Sequence, residues 1–306
     1  MTYKDNTSIP ISDRDKLLRL LEETGLSRSA LARALQVNYK AVYRWIDRGI
    51  KPHPRQSADI DELFKEHVDL RPAVLSLKRN LPNPLKAFRE NVPLREQFFI
   101  QMTYESNAIE GSRMTVQETA MALDGKWVKG KELFEVLEAV NHKNALLYMF
   151  DQIRPAYKID EAYLLKLHEI VMYNFTSKLP GRYRTGFVNL TNAEKVLPAA
   201  PMVPVKMRQW LKTVNRYGPD PLGKIARDHY EFEAIHPFFD GNGRVGRLLM
   251  LTQLLSQGFP PAFISNEDRA KYYTALGKGD MGDFRNLIQM VCESVFAGYR
   301  FFSRES

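Results

Sequence analysis

The sequence predicts a mostly α-helical protein in two parts: a small all-α domain built on a helix-turn-helix, and a larger helical bundle interrupted by one β-hairpin. Three observations carry this. Apolar residues recur at helical spacing over most of the chain, and only one stretch alternates apolar with polar residues as a strand does. Four prolines between Arg71 and Pro93 part a basic first segment from the remainder.

The 306 residues are 44% hydrophobic and 11% aromatic, which excludes a disordered chain and is enough for a sizeable core. One cysteine, Cys292, cannot close an intrachain disulfide and reads as a packing residue. The N-terminal MTYKDNTSIPISD has no apolar targeting core, and no run of about 18 apolar residues is present to span a bilayer. The expectation is a cytoplasmic protein without a membrane partner. The net charge is +8, and seven Lys/Arg against one acid, Asp47, fall between Ser27 and Gln56. A solvated helix face accounts for such a cluster, and so does a polyanion partner.

Residues 1–70 form the first domain. Leu17, Leu18, Leu20 and Leu21 make a helical stripe closed by Gly25. Ser27 caps a short helix with Ala30, Leu31, Ala34 and Leu35 inward, and Asn38 caps a third with Val42, Trp45 and Ile46 inward. That leaves Lys40, Tyr43 and Arg44 facing out. Short helix, tight turn and basic second helix are a helix-turn-helix, and LSRSALARALQVNYKAVYRWIDRGIKP resembles the Cro and repressor type, whose second helix enters the major groove. DNA is the expected partner, and a protein-recognition module is the alternative.

Residues 71–95 read as a linker of short helices, and 96–125 as a helical region broken near Gly111. On charge alone Glu110 sits at a helix C-terminus, where the dipole disfavours it and a cationic partner is wanted. Residues 126–306 form the main bundle. Helices are expected over 131–151, 160–174, 206–216, 221–235, 248–257, 268–276 and 283–302. His168, on an apolar face, reads as a structural histidine. A hairpin at about 182–198 follows from Val188 and Leu190, a turn at Thr191–Ala193, and Val196 with Leu197 on the return.

The densest chemistry lies in His236–Arg247, HPFFDGNGRVGR. Its GNGRVG meets the dinucleotide pattern GxGxxG, but no strand precedes it and no βαβ alternation surrounds it; a P-loop fails for want of a following Lys-Ser/Thr. What remains is a glycine turn opening onto a buried helix, whose free N–H groups suit an anion. Arg244 and Arg247 add fork-shaped donors for phosphate oxygens. Asp240 suits Mg²⁺, which takes one or two carboxylates plus substrate phosphates. His236 can accept a hydroxyl proton at neutral pH. Together these describe a phosphoryl or nucleotidyl transfer site.

HPFFDGNGRVGR also meets every defined position of the HxFx(D/E)GNGRxxR signature and resembles the Fic (filamentation induced by cAMP) family. The likeness runs from Glu96 to Arg300 and includes RYRTGFV, similar to the approach to that family's target-docking flap. The resemblance implies a helical Fic fold that transfers AMP from ATP to a hydroxyl of a target protein docked on the flap. It implies His236 as general base, Asp240 holding Mg²⁺, and Asn242 with the Gly241–Gly243 backbone as the anion hole. Arg244 would contact the phosphates and Arg247 would orient the γ-phosphate. SNAIEG resembles the family's inhibitory motif (S/T)xxxE(G/N), with Ser106, Glu110 and Gly111 at the defined positions. The implied device is Glu110 pairing with Arg247. Removal of AMP from a modified target, a DNA-binding regulator using the Fic part as a nucleotide sensor, and a different nucleotide donor all stay open, as does a homo-oligomer. Tyr272 and Tyr273 are the candidates for base stacking.

Overall fold

A computed structural model gives the fold, described for residues 12–78, 83–188 and 196–303. The chain divides into two compact units, Met1–Ser76 and Leu77–Ser306.

In the first unit α1 spans Asp13–Thr24, α2 Arg28–Ala34, α3 Tyr39–Asp47 and α4 Pro54–His67, and α5, Arg71–Leu77, ends it. Side-chain caps set the starts: Ser27 accepts from the Ala30 N–H and Asn38 from the Ala41 N–H. Leu17, Leu20, Leu31, Val42, Trp45, Ile46, Ile60 and Phe64 fill the core. A buried ion pair, Lys16 with Asp61, joins α1 to α4. Lys40, Tyr43 and Arg44 are exposed on α3. Ala34, expected inward, is exposed because α2 ends there and its buried stripe runs through Leu31, Ala32 and Leu35.

The second unit contains α6 (Pro84–Glu90), α7 (Val92–Ile109), α8 (Val116–Leu123), α9 (Leu133–Gln152), α10 (Glu161–Val171), α11 (Val203–Thr213), α12 (Pro221–Ile235), α13 (Asn242–Ser256), α14 (Arg269–Gly279) and α15 (Arg285–Ser303). The helical region expected over 96–125 is two helices, because Glu110 and Gly111 end α7 and a Thr115–Glu118 capping box starts α8. Every residue of α13 except Gly243 is buried, and α12, α10, α7 and α9 pack around it. A helix buried on all sides sits at the centre of a bundle. Phenylalanines 88, 98, 99, 150, 301 and 302 cluster where α6, α7, α9 and α15 meet. This core fixes α7 against α13, which matters for the site.

Among the described residues there is no strand. Of the hairpin expected at about 182–198, residues 189–195 lie outside the described residues, and both flanks are irregular. No helix of the described residues is long and apolar enough to cross a membrane.

Candidate active site

α12 delivers His236 and α13 begins six residues later, so the site is the loop between two packed helices. His236 caps α12 in the left-handed region, φ 50° and ψ 63°, a conformation that costs a non-glycine residue roughly 1–2 kcal/mol. Neighbouring bonds enforce it. The His236 N–H reaches the Phe232 carbonyl at 3.0 Å, and the Arg184 N–H donates to the Pro237 carbonyl at 2.9 Å. Phe238, fully buried, stacks on His168 with ring centres 3.6 Å apart.

His168 is the structural residue the sequence implies, with a definite task. Its Nδ1 accepts from the Gly181 N–H at 2.9 Å, so Nε2–H donates to the Asp240 carbonyl at 3.1 Å and ties the loop to α10. Asn242 ties it from the other side. Its Oδ1 accepts from the Phe238 N–H at 2.9 Å and its Nδ2 donates to the Phe238 carbonyl at 3.0 Å. The Asn242 side chain therefore closes the loop and is not free for the anion hole expected of it; only its backbone can serve there.

Gly241 opens α13 at φ 77°, and the first-turn N–H groups after it have no partner within the helix, as at any helix start. Asp240 accepts from the Gly241 N–H at 2.6 Å and keeps its side chain 42% exposed. Lys178 lies 3.7 Å from its other oxygen.

The two arginines of α13 are drawn apart by carboxylates on different helices. Arg244, 3% exposed, donates through Nη1 to Glu138 of α9 at 2.7 Å and through Nη2 to Asp240 at 3.2 Å. Arg247, 1% exposed, donates through Nε to the Ser106 hydroxyl at 3.0 Å. Its Nη2 reaches the Ser106 carbonyl at 2.7 Å and Glu110 at 2.8 Å. Ser106, Glu110 and Arg247 are thus in one cluster at the end of α7. Close approach there needs a glycine: a Cβ on Gly243 would stand 2.1 Å from the Glu110 Oε1.

Burial first, and then the Arg184 guanidinium, push the His236 imidazole down to about 4 against the Glu233 carbonyl and the Glu110 and Asp240 charges. The ring is therefore neutral at physiological pH. Burial lowers Arg247, but Glu110, Tyr272 and Glu233 together outweigh it and leave the guanidinium firmly charged. Glu233, behind α13, is pushed up to about 8 by burial.

Tyr272 and Tyr273 lie on α14. Tyr272 is 1% exposed and bonds His229 at 2.7 Å through its hydroxyl, so it has no open face for a base. Tyr273 is half-buried, with the Arg269 guanidinium 5.3 Å from its ring centre. Lys40, Tyr43 and Arg44 belong to the other unit. Glu138 and Arg184 went unread in the sequence, because neither sits in a motif of its own chemistry.

A model of the Fic/DOC family matches residues 158–254, which contain α10 to the greater part of α13 and the whole loop between α12 and α13. The chain is 31% identical over 206 residues to the protein adenylyltransferase fic-1 of Caenorhabditis elegans, over 65% of this chain and 40% of that protein. It is 35% identical over 205 residues to the protein adenylyltransferase Fic of Nematostella vectensis, over 65% of this chain and 47% of that one. The chain spans less than half the length of these curated relatives. A solved Fic family protein from Desulfovibrio desulfuricans G20 has a TM-score of 0.66 at 26% identity, covering 78% of this chain and 75% of its own. A fragment of Fic-1 from C. elegans shares the fold with a TM-score of 0.67 at 23% identity, covering 97% and 89%. The loop from His236, the helix it opens and the family match coincide: this chain contains a Fic domain and is homologous to Fic protein adenylyltransferases.

Proposed function

We propose that the protein transfers AMP from ATP to a hydroxyl side chain of a target protein, and that Glu110 holds this activity down. The observation that carries the reading is that one short loop joins His236 to the open N-terminus of α13, whose first turns carry two buried arginines. In the proposed reaction the His236 imidazole takes the proton of the acceptor hydroxyl. The hydroxyl oxygen bonds to the α-phosphorus as its bond to the bridging oxygen breaks, and pyrophosphate leaves. The α13 N-terminus and Arg244 hold the phosphates, so the protein's main contribution is in-line positioning. Tyr273 is the ring we assign to the base.

Among the described residues no three His, Cys, Asp or Glu side chains form a metal cage. Asp240 alone, half-exposed at the mouth of the anion site, fits Mg²⁺, which completes its shell with phosphates and water. When bound, that ion supplies neutralisation of the charge growing on the leaving phosphates.

Arg247 is the residue we assign to the γ-phosphate, and Glu110 occupies its Nη2. Opening a buried pair of this kind costs several kcal/mol, discounted here because the Glu110 side chain is 32% exposed. The test is labelling with a fluorescent ATP analogue and Mg²⁺. Wild type should label weakly, Glu110→Gly strongly, and Glu110→Gly with His236→Ala not at all. A Glu110→Gly protein no more active than wild type would defeat the inhibition reading, and one that labels without His236 would defeat the mechanism.

The exposed Lys40, Tyr43 and Arg44 on α3 favour a second activity, DNA binding by the first unit, which does not compete with the first.

A further inference from the structure

Arg184 is heavily engaged beside His236, and the proposed chemistry does not use it. It is 3% exposed, and among the described residues the partners its guanidinium reaches are carbonyl oxygens. Nε donates to His236 at 2.8 Å, Nη1 to Gly186 at 3.1 Å and Nη2 to Pro198 at 2.5 Å. Gly186 and Pro198 stand on the two described flanks of the segment expected to dock the target. The third carbonyl belongs to the imidazole-bearing residue itself.

Burying a cation against neutral acceptors is costly, and burial lowers the Arg184 pKa accordingly. An apolar residue would fill the space at less cost. What it could not do is hold three carbonyls from three parts of the chain in one plane, which needs the rigid fork of a guanidinium. Lysine carries three donors on one nitrogen, and so cannot span acceptors set as far apart as the three nitrogens of a guanidinium. The flanks are pressed on the loop by a second contact: a Cβ at Gly186 would lie 3.4 Å from the Phe239 ring. They also carry large apolar side chains turned to solvent, Phe187 at 77% and Val196 at 89% exposure.

We infer that Arg184 is a positioning residue that fixes the spacing between the target-docking flanks and the His236 imidazole, so that an acceptor hydroxyl held by the one arrives within reach of the other. The inference rests on the proposed transfer reaction. It requires Arg184 to govern acceptor placement and leave the nucleotide alone, since none of its bonds reaches Arg244, Asp240 or α13.

The experiment uses the full chain carrying Glu110→Gly, with Arg184→Lys, which keeps the charge, and Arg184→Met, which keeps length without charge. Titration calorimetry with ATP and Mg²⁺ should give affinities within about threefold of the parent, while labelling of lysate proteins by the fluorescent analogue falls about 100-fold in both variants. The acid limb of the labelling profile should move to higher pH in Arg184→Met alone, because only that variant removes the cation facing His236. Amide hydrogen exchange should rise together at 185–188, 196–199 and 236–239 in Arg184→Lys. Labelling by Arg184→Lys within about threefold of the parent overturns the inference, as does a loss of ATP affinity matching the loss of labelling. A parent that neither labels nor binds ATP would instead refute the transfer reading. The exchange measurement would then still decide, because unchanged exchange in the three stretches means that Arg184 does not tie them.

Discussion

The Nη2 of Arg247 donates to the Oε1 of Glu110 at 2.8 Å, across 137 residues of sequence. The same guanidinium donates through Nε to Ser106 on the same helix, so α7 grips it by a charge and by a hydroxyl one turn away. These two contacts make separable predictions.

Ser106→Ala removes the acceptor of the Arg247 Nε while leaving the ion pair. Basal labelling should rise about tenfold, less than for Glu110→Gly, since a hydrogen bond to a charged group contributes about 1.5 kcal/mol at the low end. Initial labelling rates of the two single variants and the double variant check this. A Ser106→Ala rate equal to that of Glu110→Gly would place the restraint in the hydroxyl.

Glu138 holds Arg244 by one Nη, leaving other donors of the fork for a phosphate. In the Glu110→Gly background, Glu138→Ala should raise the KM for ATP about tenfold, and Glu138→Gln should recover part of it by restoring an acceptor. Were Glu138 a competitor of the nucleotide, as Glu110 is proposed to be, the KM would fall.

His236 is held at about 4, below its ordinary value, so the form able to accept a proton persists as the pH falls. Labelling by Glu110→Gly should stay within about twofold from pH 8 to 5.5, where a base of ordinary pKa would lose roughly tenfold. A decline centred on pH 6.5 would mean that the imidazole is solvated in the working enzyme.

Stability should depend on pH more steeply than activity does. Burial above all holds His142 and His229 at about 3, and His168 and His236 at about 4. The unfolded chain protonates them near 6.5, so stability present above that value is lost as the pH falls below it. Glu233, raised to about 8 by burial, and Asp228, raised to about 6 by the same cause, act in the opposite sense because the folded chain keeps their protons. Asp61, Glu105 and Glu138, raised by burial as well, add to that opposition, so the unfolded state is richer by at most about two protons between pH 6 and 5, or roughly 3 kcal/mol per pH unit at most. Scanning calorimetry should show Tm falling over that interval, by up to about 5 °C. A flat Tm would contradict the burial of these rings.

For the first unit, gel shifts with DNA fragments at rising salt should show a salt-sensitive complex. Lys40→Ala and Arg44→Ala should each lower the salt slope by about one if the contacts are to phosphates. Labelling by the same variants should be unchanged. No complex at moderate salt would reassign α3 to protein recognition.

What could be read from the sequence was whatever is written locally. Ser27 and Asn38 announce their helices by side-chain caps, and the bounds of α12 follow from Asp220, Pro221 and its apolar stripe; α13, expected over 248–257, starts at Asn242, because its first turn carries buried polar residues that break the apolar pattern. Tertiary partners are not written that way. Glu138 looks like any other acid on an amphipathic helix until α9 is packed beside Arg244. Arg184 sits in a stretch whose likeness to a flap draws attention to the target and away from His236. Asn242, in the motif, reads as a phosphate ligand because a motif gives residue types but not directions; the fold turns its amide onto Phe238. Tyr272 fails for the same reason, its ring being inward on α14.

The missing side chain at Gly243 has a consequence of its own. The carboxylate of Glu110 stands where a methyl group on that residue would be, at the same helix start proposed to seat a phosphate. Inhibitor and nucleotide would then be rival tenants of one vacancy, and anything that fills it evicts both. An alanine at that position would unfasten the restraint and ruin the seat in a single step, so descent through that codon offers no route to an unrestrained enzyme. Escape has to run through Glu110 or Ser106, on a helix that contributes nothing to the proposed chemistry.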